Sequence, residues 1–200
     1  MTDFLRGTLK KTAAISIPSE QQRSAWHEIR PEHGTIDSPL HPSQVSVFPW
    51  VPEALALLQA KNYGLAICTN QPAFAKGKTT RQNLEAVHQK VVLLAEQQGA
   101  KILSSHICFH KDGDGCLCRK PKSGLLEEAL RQNAGFSPEH SWMVGDGVHD
   151  IRAGQTLSLK TVFIGSKKWD AQRVFEDFKL MPTFWAENLM EFAQSLPERI

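Results

Sequence analysis

The sequence lacks any apolar run long enough to span a bilayer, so we expect no transmembrane helix. Its first 17 residues are basic, but their apolar part is too short for the core of a secretory signal peptide. Internal repeats, heptad patterns and low-complexity tracts are also missing. These absences favour a soluble globular protein of the cytoplasm.

A strong charge of either sign is missing too. Lysine and arginine total 23 against 21 acidic residues, which leaves a formal net charge of +2. No basic run of five or more occurs, and basic and aromatic residues do not cluster as nucleic-acid surfaces require. The net charge alone neither proposes nor excludes nucleic acid, but the missing clusters argue against it, so we expect no nucleic-acid and no membrane partner, and a monomer. The 200 residues suit one domain, of which residues 1–44 are the least regular part.

Cysteine is scarce, yet three of the chain's four cysteines lie within eleven residues and share that stretch with a histidine. The pattern is Cys-x-His-x5-Cys-x-Cys, formed by Cys108, His110, Cys116 and Cys118. Thiolate and imidazole donors are the ligands of closed, tetrahedral zinc sites. Separate buried thiols or disulfides remain the alternative. The pattern favours a structural zinc ion bound in a loop over residues 104–122.

The rest of the chain alternates between helical and strand patterns. Apolar residues recur at helical spacing in some segments, and short apolar runs end abruptly at polar residues in others. We predict helices over residues 52–63 (ended by Gly64), 80–98, 123–133 and 187–196, with a short one opening at Asp150. We predict strands over residues 65–68, 102–108, 141–144 and 161–165, with another near 183–185. This order predicts an α/β fold, an open parallel sheet with helices on both faces.

Polar side chains follow two of these strands, and ligands of such sheets bind beyond the carboxyl ends of the strands. Thr69 and Asn70 offer a hydroxyl, an amide and backbone N–H groups that suit phosphate oxygens. Asp146 and Asp150 offer two hard carboxylates that suit magnesium. Lys120 precedes a proline that fixes its backbone, and its ammonium could neutralise phosphate. Taken singly, each could instead be a turn residue, a helix cap or a surface charge.

Together these motifs resemble the haloacid dehalogenase-like (HAD) phosphatases. The resemblance covers roughly residues 45–164 and is strongest for the zinc-loop branch, which contains heptose-bisphosphate and histidinol-phosphate phosphatases. It implies a three-layer Rossmann-like fold without a large cap domain. It further implies that Thr69 and Asn70 contact phosphate, Arg119 recognises substrate and Lys120 stabilises the transferring phosphoryl group. Asp146 and Asp150 would hold catalytic magnesium.

The resemblance fails at one motif, because the family has Asp-x-Asp-Gly-Thr at the end of its first strand. Near Gly7-Thr8 the two Asp positions hold Phe4 and Arg6, and near Gly34-Thr35 they hold Pro31 and His33. A literal Asp-Gly-Asp-Gly occurs at residues 112–115, but it lies inside the zinc loop and after Thr69. The sequence therefore supports two hypotheses: a phosphatase of small phosphomonoesters, or a degenerate relative that binds a phosphorylated ligand or a protein without turnover.

Overall fold

The computed structural model describes residues 39–133, 136–165 and 175–197, together with the backbone of residues 11–15. A six-stranded sheet with the order β3-β2-β1-β4-β5-β6 forms its centre, and every neighbouring pair is parallel. The strands are β1 (Lys11–Ile15), β2 (Tyr63–Asn70), β3 (Ile102–Cys108), β4 (Trp142–Gly145), β5 (Lys160–Ile164) and β6 (Phe184–Ala186).

The described helices alternate with these strands. They are α1 (Trp50–Ala60), α2 (Arg81–Ala95), α3 (Gly124–Gln132), α4 (Val148–Thr156) and α5 (Leu189–Ser195), with 3-10 turns at Pro42–Gln44 and Pro138–His140. None of the helices in the described ranges is long and apolar enough to span a membrane.

Two cores lie on opposite faces of the sheet, because successive strand residues point to opposite sides. Leu65 of β2 packs in the core that contains residues of α1 and α5. Its neighbour Ala66 packs with residues of α3 and α4 on the other face. This three-layer arrangement confirms the fold class predicted from the sequence.

Lys61 ties the end of α1 to the end of α5. Its side chain is buried, and its ammonium donates hydrogen bonds to the carbonyl oxygens of Ala193 (2.9 Å), Gln194 (3.3 Å) and Leu196. A cation at a helix carboxyl terminus satisfies carbonyls that have no partner within the helix. The buried ammonium therefore helps to fix α5 against the sheet.

Several boundaries differ from those predicted. The prediction that Gly64 ends the first helix is wrong: α1 ends at Ala60, and Gly64 lies within β2. Asn62 makes the turn instead with a φ of +66°, a conformation that asparagine tolerates better than most residues. No local pattern predicts β1, which lies at Lys11–Ile15. The strand at Ile102–Cys108 is confirmed at both ends.

The parallel order brings the carboxyl ends of β2, β1 and β4 side by side. Ile15, the last residue of β1, pairs with Ile67 of β2 and with Val144 of β4. The polar residues that end β2 and follow β4 therefore lie at the same edge of the sheet, on either side of the point where the chain leaves β1.

Candidate functional site

The four residues of the Cys/His pattern converge at the end of β3. One ligand atom from each of Cys108, His110, Cys116 and Cys118 lies within 4.8 Å of every other. The Sγ of Cys108 is 3.9 Å from that of Cys116 and 3.2 Å from that of Cys118. The Nδ1 of His110 is 3.6 Å from the Sγ of Cys108 and 3.3 Å from that of Cys118.

Most of these distances are close to those around one tetrahedral metal ion, and the Cys108–Cys118 separation is shorter. A zinc–sulfur bond of about 2.3 Å places neighbouring sulfurs of a tetrahedron about 3.8 Å apart, and a sulfur and a nitrogen slightly closer. All four cysteines of the chain are free thiols, including Cys68, which lies outside the cluster. The cluster therefore has the donors and the spacing of a closed metal site, as its sequence pattern indicates.

The loop over residues 104–122, called the metal loop below, is shaped around this cluster by backbone contacts. Gly113 and Gly115 adopt φ values of +91° and +69°, which let the chain reverse between His110 and Cys116. The backbone N–H of Gly124 donates to the carbonyl of Leu117 at 3.2 Å, and a Cβ on this glycine would lie 2.6 Å from that oxygen. The start of α3 thus packs directly on the loop.

Lys120 leaves the loop and enters the protein interior. It is 4% exposed, and its Nζ lies 2.7 Å from the carbonyl oxygen of Cys68 and 2.5 Å from Oδ1 of Asp150. An ammonium has three N–H donors, so one remains for a ligand. Asp150 is equally buried, and its Oδ2 accepts a hydrogen bond from the N–H of Gly147 at 3.1 Å. The result is a buried ion pair at the edge of the sheet.

Asn70, the last residue of β2, holds the backbone of Lys120. Its Nδ2 donates to the carbonyl of Lys120 at 3.0 Å, and its Oδ1 accepts from the N–H of Lys120 at 3.1 Å. The next residue, Gln71, donates its N–H to the carbonyl of Cys108 at 2.7 Å. The end of β2 is therefore tied to both ends of the metal loop.

Asp146 follows β4 directly and lies beside Asp150. Burial raises the pKa of the Asp146 carboxyl to about 6, the negative charge of Asp150 adds to this rise, and the positive charge of Lys120 opposes it. Gly145 lets the side chain of Asp150 pack against the end of β4, because a Cβ there would lie 2.4 Å from Cγ of Asp150. Two carboxylates and one ammonium thus meet at the carboxyl end of β4.

Arg119, the residue before Lys120, contacts other residues of the loop. Its Nε donates to Oδ1 of Asp112 at 2.7 Å, and one terminal nitrogen donates to the carbonyl of His110 at 3.3 Å. Its hydrogen bond and positive charge lower the pKa of the Asp112 carboxyl. Arg119 is therefore engaged by the loop itself.

Thr69 of β2 lies next to Asn70, and its hydroxyl oxygen accepts a long hydrogen bond of 3.4 Å from Nε2 of Gln71. The structure thus places Thr69 and Asn70 at the end of β2, Asp146 directly after β4, Asp150 in the first turn of α4 and Lys120 at the exit of the loop. It does not test their roles, which stay predictions. Two contacts were not predicted from the sequence: the hydrogen bonds of Asn70 to the backbone of Lys120, and the hydrogen bond from the Lys120 ammonium to the carbonyl of Cys68. In both, the partners lie about fifty residues apart and leave no local signal.

The end of β1 carries no carboxylate in the sequence. Ile15 ends the strand, and the next three residues of the chain are Ser16, Ile17 and Pro18. The alternatives near Gly7-Thr8 and Gly34-Thr35 lie outside the described residues. The Asp-Gly-Asp-Gly stretch at 112–115 lies in the metal loop, where Asp112 pairs with Arg119 and Oδ2 of Asp114 accepts from the N–H of Lys111.

Comparison with known proteins gives a consistent family. The HAD-hydrolase-like family model matches residues 117–192. The D-glycero-beta-D-manno-heptose-1,7-bisphosphate 7-phosphatase of Pseudomonas putida is 30% identical over 152 residues, which cover 74% of this chain and 85% of the relative. The phosphatase of the same name from Neisseria meningitidis serogroup A is 39% identical over 125 residues. That match covers 60% of this chain and 66%, just under two thirds, of the relative.

A weaker relative and a solved structure extend the comparison. The histidine biosynthesis bifunctional protein HisB of Campylobacter jejuni is 28% identical over 56% of this chain and 32% of its own length. The crystal structure of D,D-heptose 1,7-bisphosphate phosphatase from B. bronchiseptica, complexed with magnesium and phosphate, superposes with a TM-score of 0.72. It shares 20% identity and covers 92% of this chain and 94% of its own, a similarity that concerns the fold.

Proposed function

The chain belongs to the HAD-like hydrolase family, and on that premise we propose that it is a phosphatase that hydrolyses a small phosphomonoester with magnesium. The substrate is a sugar bisphosphate such as D-glycero-D-manno-heptose 1,7-bisphosphate, or histidinol phosphate. In this reaction water supplies an oxygen to phosphorus, the ester P–O bond breaks, and the leaving alcohol takes up a proton.

The observation that carries the proposal is the buried ammonium of Lys120 at the carboxyl edge of the sheet. Its remaining N–H can donate to a phosphate oxygen, and its charge offsets that of the phosphate. The Thr69 hydroxyl lies at the end of the same strand that supplies Asn70. We assign phosphate contacts to Thr69, Asn70 and Lys120, and recognition of the rest of the substrate to Arg119.

Magnesium fits the carboxylates of this edge. Asp146 is the better ligand, since both oxygens of Asp150 already accept hydrogen bonds and keep only their second lone pairs. Hard oxygen donors from one or two carboxylates, completed by waters and a phosphate, are the usual set for this ion. When bound, magnesium would supply positive charge to the phosphate group.

Zinc fits the Cys/His cluster, and we assign it a structural role. Four protein donors close the coordination sphere, so no position remains for substrate. The ion would fix the loop that delivers Arg119 and Lys120 to the cleft. Thiols that ligate metal must stay reduced, which suits a cytoplasmic protein, and we place the chain there as a monomer without nucleic-acid or membrane partners.

A second candidate function is supported by the sequence after β1. A carboxylate nucleophile and a carboxyl proton donor are expected there, and the chain has Ser16, Ile17 and Pro18 instead. Loss of proton transfer alone costs about 10²–10⁴-fold in rate. Unless Asp3, Glu32 or Asp37 supplies the missing carboxylate, the same cleft would bind a phosphorylated ligand without hydrolysing it.

Phosphate release decides between the two. The zinc-loaded protein is incubated with magnesium and heptose bisphosphate, histidinol phosphate or an aryl phosphate, beside Asp146→Asn and the exposed control Asp177→Asn. Turnover that is lost in Asp146→Asn and kept in Asp177→Asn supports the phosphatase. Calorimetric binding of inorganic phosphate without turnover supports the second candidate, and Ser16→Asp with Pro18→Asp should then raise phosphate release. Absence of both binding and turnover refutes both functions.

A further inference from the structure

We propose that Asn70 is a positioning residue, which acts on a bound phosphate through Lys120 more than by touching the phosphate itself. The inference rests on the proposed function, since it concerns the same phosphate site. It adds a role for Asn70 that neither its sequence motif nor its place at a strand end assigns.

The first observation is that one side chain holds both backbone polar groups of one residue. Asn70 donates to the carbonyl of Lys120 and accepts from its N–H, at 3.0 and 3.1 Å. A single hydrogen bond would leave the chain free to rotate about that contact, whereas two parallel bonds fix both position and orientation. The following residue, Pro121, has a fixed φ and restricts the backbone further.

The second observation is that the ammonium of Lys120 has little freedom to search for its partners. It lies in the interior with the carbonyl of Cys68 and the carboxylate of Asp150 at 2.7 and 2.5 Å. A long flexible side chain loses rotamer entropy when it is ordered in this way. Fixing the backbone at its base means that its third N–H points in one direction before a ligand arrives, and such preorganisation strengthens binding.

The third observation concerns the span of the contact. Asn70 ends β2, whereas Lys120 follows the last metal ligand, Cys118, by two residues. The two hydrogen bonds therefore join the rigid sheet to the exit of the metal loop. Because Asn70 keeps a second amide N–H that could contact phosphate directly, a single substitution does not separate the two roles, and the test requires a pair.

The test is a double-mutant cycle on phosphate affinity, measured by calorimetry with inorganic phosphate and magnesium on the zinc-loaded protein. Asn70→Ala should weaken phosphate binding by about 10-fold or more, as expected when two hydrogen bonds at a preorganised site are lost. In a Lys120→Ala background, the same Asn70→Ala change should have an effect below about 2-fold. A residue that contacts phosphate itself would show the full loss in both backgrounds.

Controls keep the test decisive. Asn70→Ser, whose shorter side chain cannot make both bonds, should behave like Asn70→Ala and serves if that variant folds poorly. Asn83→Ala is the matched control, because the Asn83 amide bonds Thr79 at the start of α2, and it should bind phosphate like the wild type. Zinc content and thermal unfolding are recorded for each variant, since a merely structural role would lower stability without altering the coupling to Lys120.

Amide hydrogen exchange gives a readout that needs no ligand. The Lys120 N–H, bonded to Asn70, should exchange faster in Asn70→Ala, whereas that of Lys122, which bonds the carbonyl of Arg119, should not. Equal losses of phosphate affinity in both backgrounds, or an unchanged Lys120 exchange rate, overturn this inference alone. A wild-type protein that binds no phosphate overturns the proposed function, and the positioning role falls with it.

Discussion

Replacing Lys120 with methionine should destabilise the fold strongly. The change keeps most of the side-chain volume, so the loss of stability measures the removal of the buried positive charge. Asp150 would then be a carboxylate of 5% exposure with the Gly147 N–H as its remaining bond and Asp146 beside it. The carbonyl of Cys68 would lose its donor as well. Uncompensated buried charge, more than the loss of attraction, is what makes such a change costly.

The expected loss is about 3–5 kcal/mol, the range for breaking one partner of a buried ion pair. In urea, with an m value near 3 kcal/mol/M for a chain of this size, the unfolding midpoint should fall by about 1–2 M. The exposed control Lys101→Met should shift it by less than about 0.2 M, since a surface substitution usually changes stability by under 0.5 kcal/mol.

Equilibrium urea unfolding of magnesium-free, zinc-loaded protein measures these shifts. If Lys120→Met does not fold, the double variant Lys120→Met with Asp150→Leu supplies the answer, because removing both members of the ion pair leaves neither charge buried without the other. The loss of unfolding free energy in the double variant should be smaller, by at least about 2 kcal/mol, than the two single losses added together. A loss below about 1 kcal/mol in Lys120→Met with zinc content intact, or additive single changes, would refute the reasoning.

Three further predictions follow from the described contacts. Lys61→Met should lower the free energy of unfolding by about 2–3 kcal/mol, since a buried ammonium leaves the last carbonyls of α5, and the same urea titration with Lys101→Met checks it. Cys118→Ser should release zinc, measured by mass spectrometry, and speed proteolysis within residues 104–122, whereas Cys68→Ala should keep the metal. Burial lowers the pKa of His106, so the unfolded state binds more protons just below about pH 6.5 and stability falls as the pH drops. His106→Gln should flatten that slope between pH 7.5 and 5, and an unchanged slope would contradict it.

Sequence patterns predicted well those features whose residues lie close together in the chain. The zinc-loop ligands lie close in sequence, so their spacing alone indicates their convergence. The strand Ile102–Cys108 was predicted to lead into the loop that carries the Cys/His pattern, and the structure confirms its limits. The parallel α/β order followed from alternation, and the edge that collects Asp146 followed from the topology of parallel sheets.

Long-range pairing decided what the sequence analysis missed. The strand Lys11–Ile15 is short and weakly apolar, and it is stabilised by neighbours on β2 and β4 that its own residues do not indicate. Gly64 looked like a helix stop, yet it lies against Phe136, which a Cβ would meet at 2.4 Å, so close packing explains that glycine. The Asn70–Lys120 contact joins residues whose partnership depends on the whole sheet.

The central place of β1 has a consequence for how the protein is made. Ile15 pairs with Ile67, 67 − 15 = 52 residues later, and with Val144, 144 − 15 = 129 residues later. At about 5–20 residues per second of synthesis, the strand waits about 6–26 s for its second neighbour. Until then one edge exposes unpaired N–H and C=O groups, which favour pairing with other chains. A product that stops before Trp142 should therefore aggregate, and chaperone dependence should concentrate in the interval before β4 leaves the ribosome.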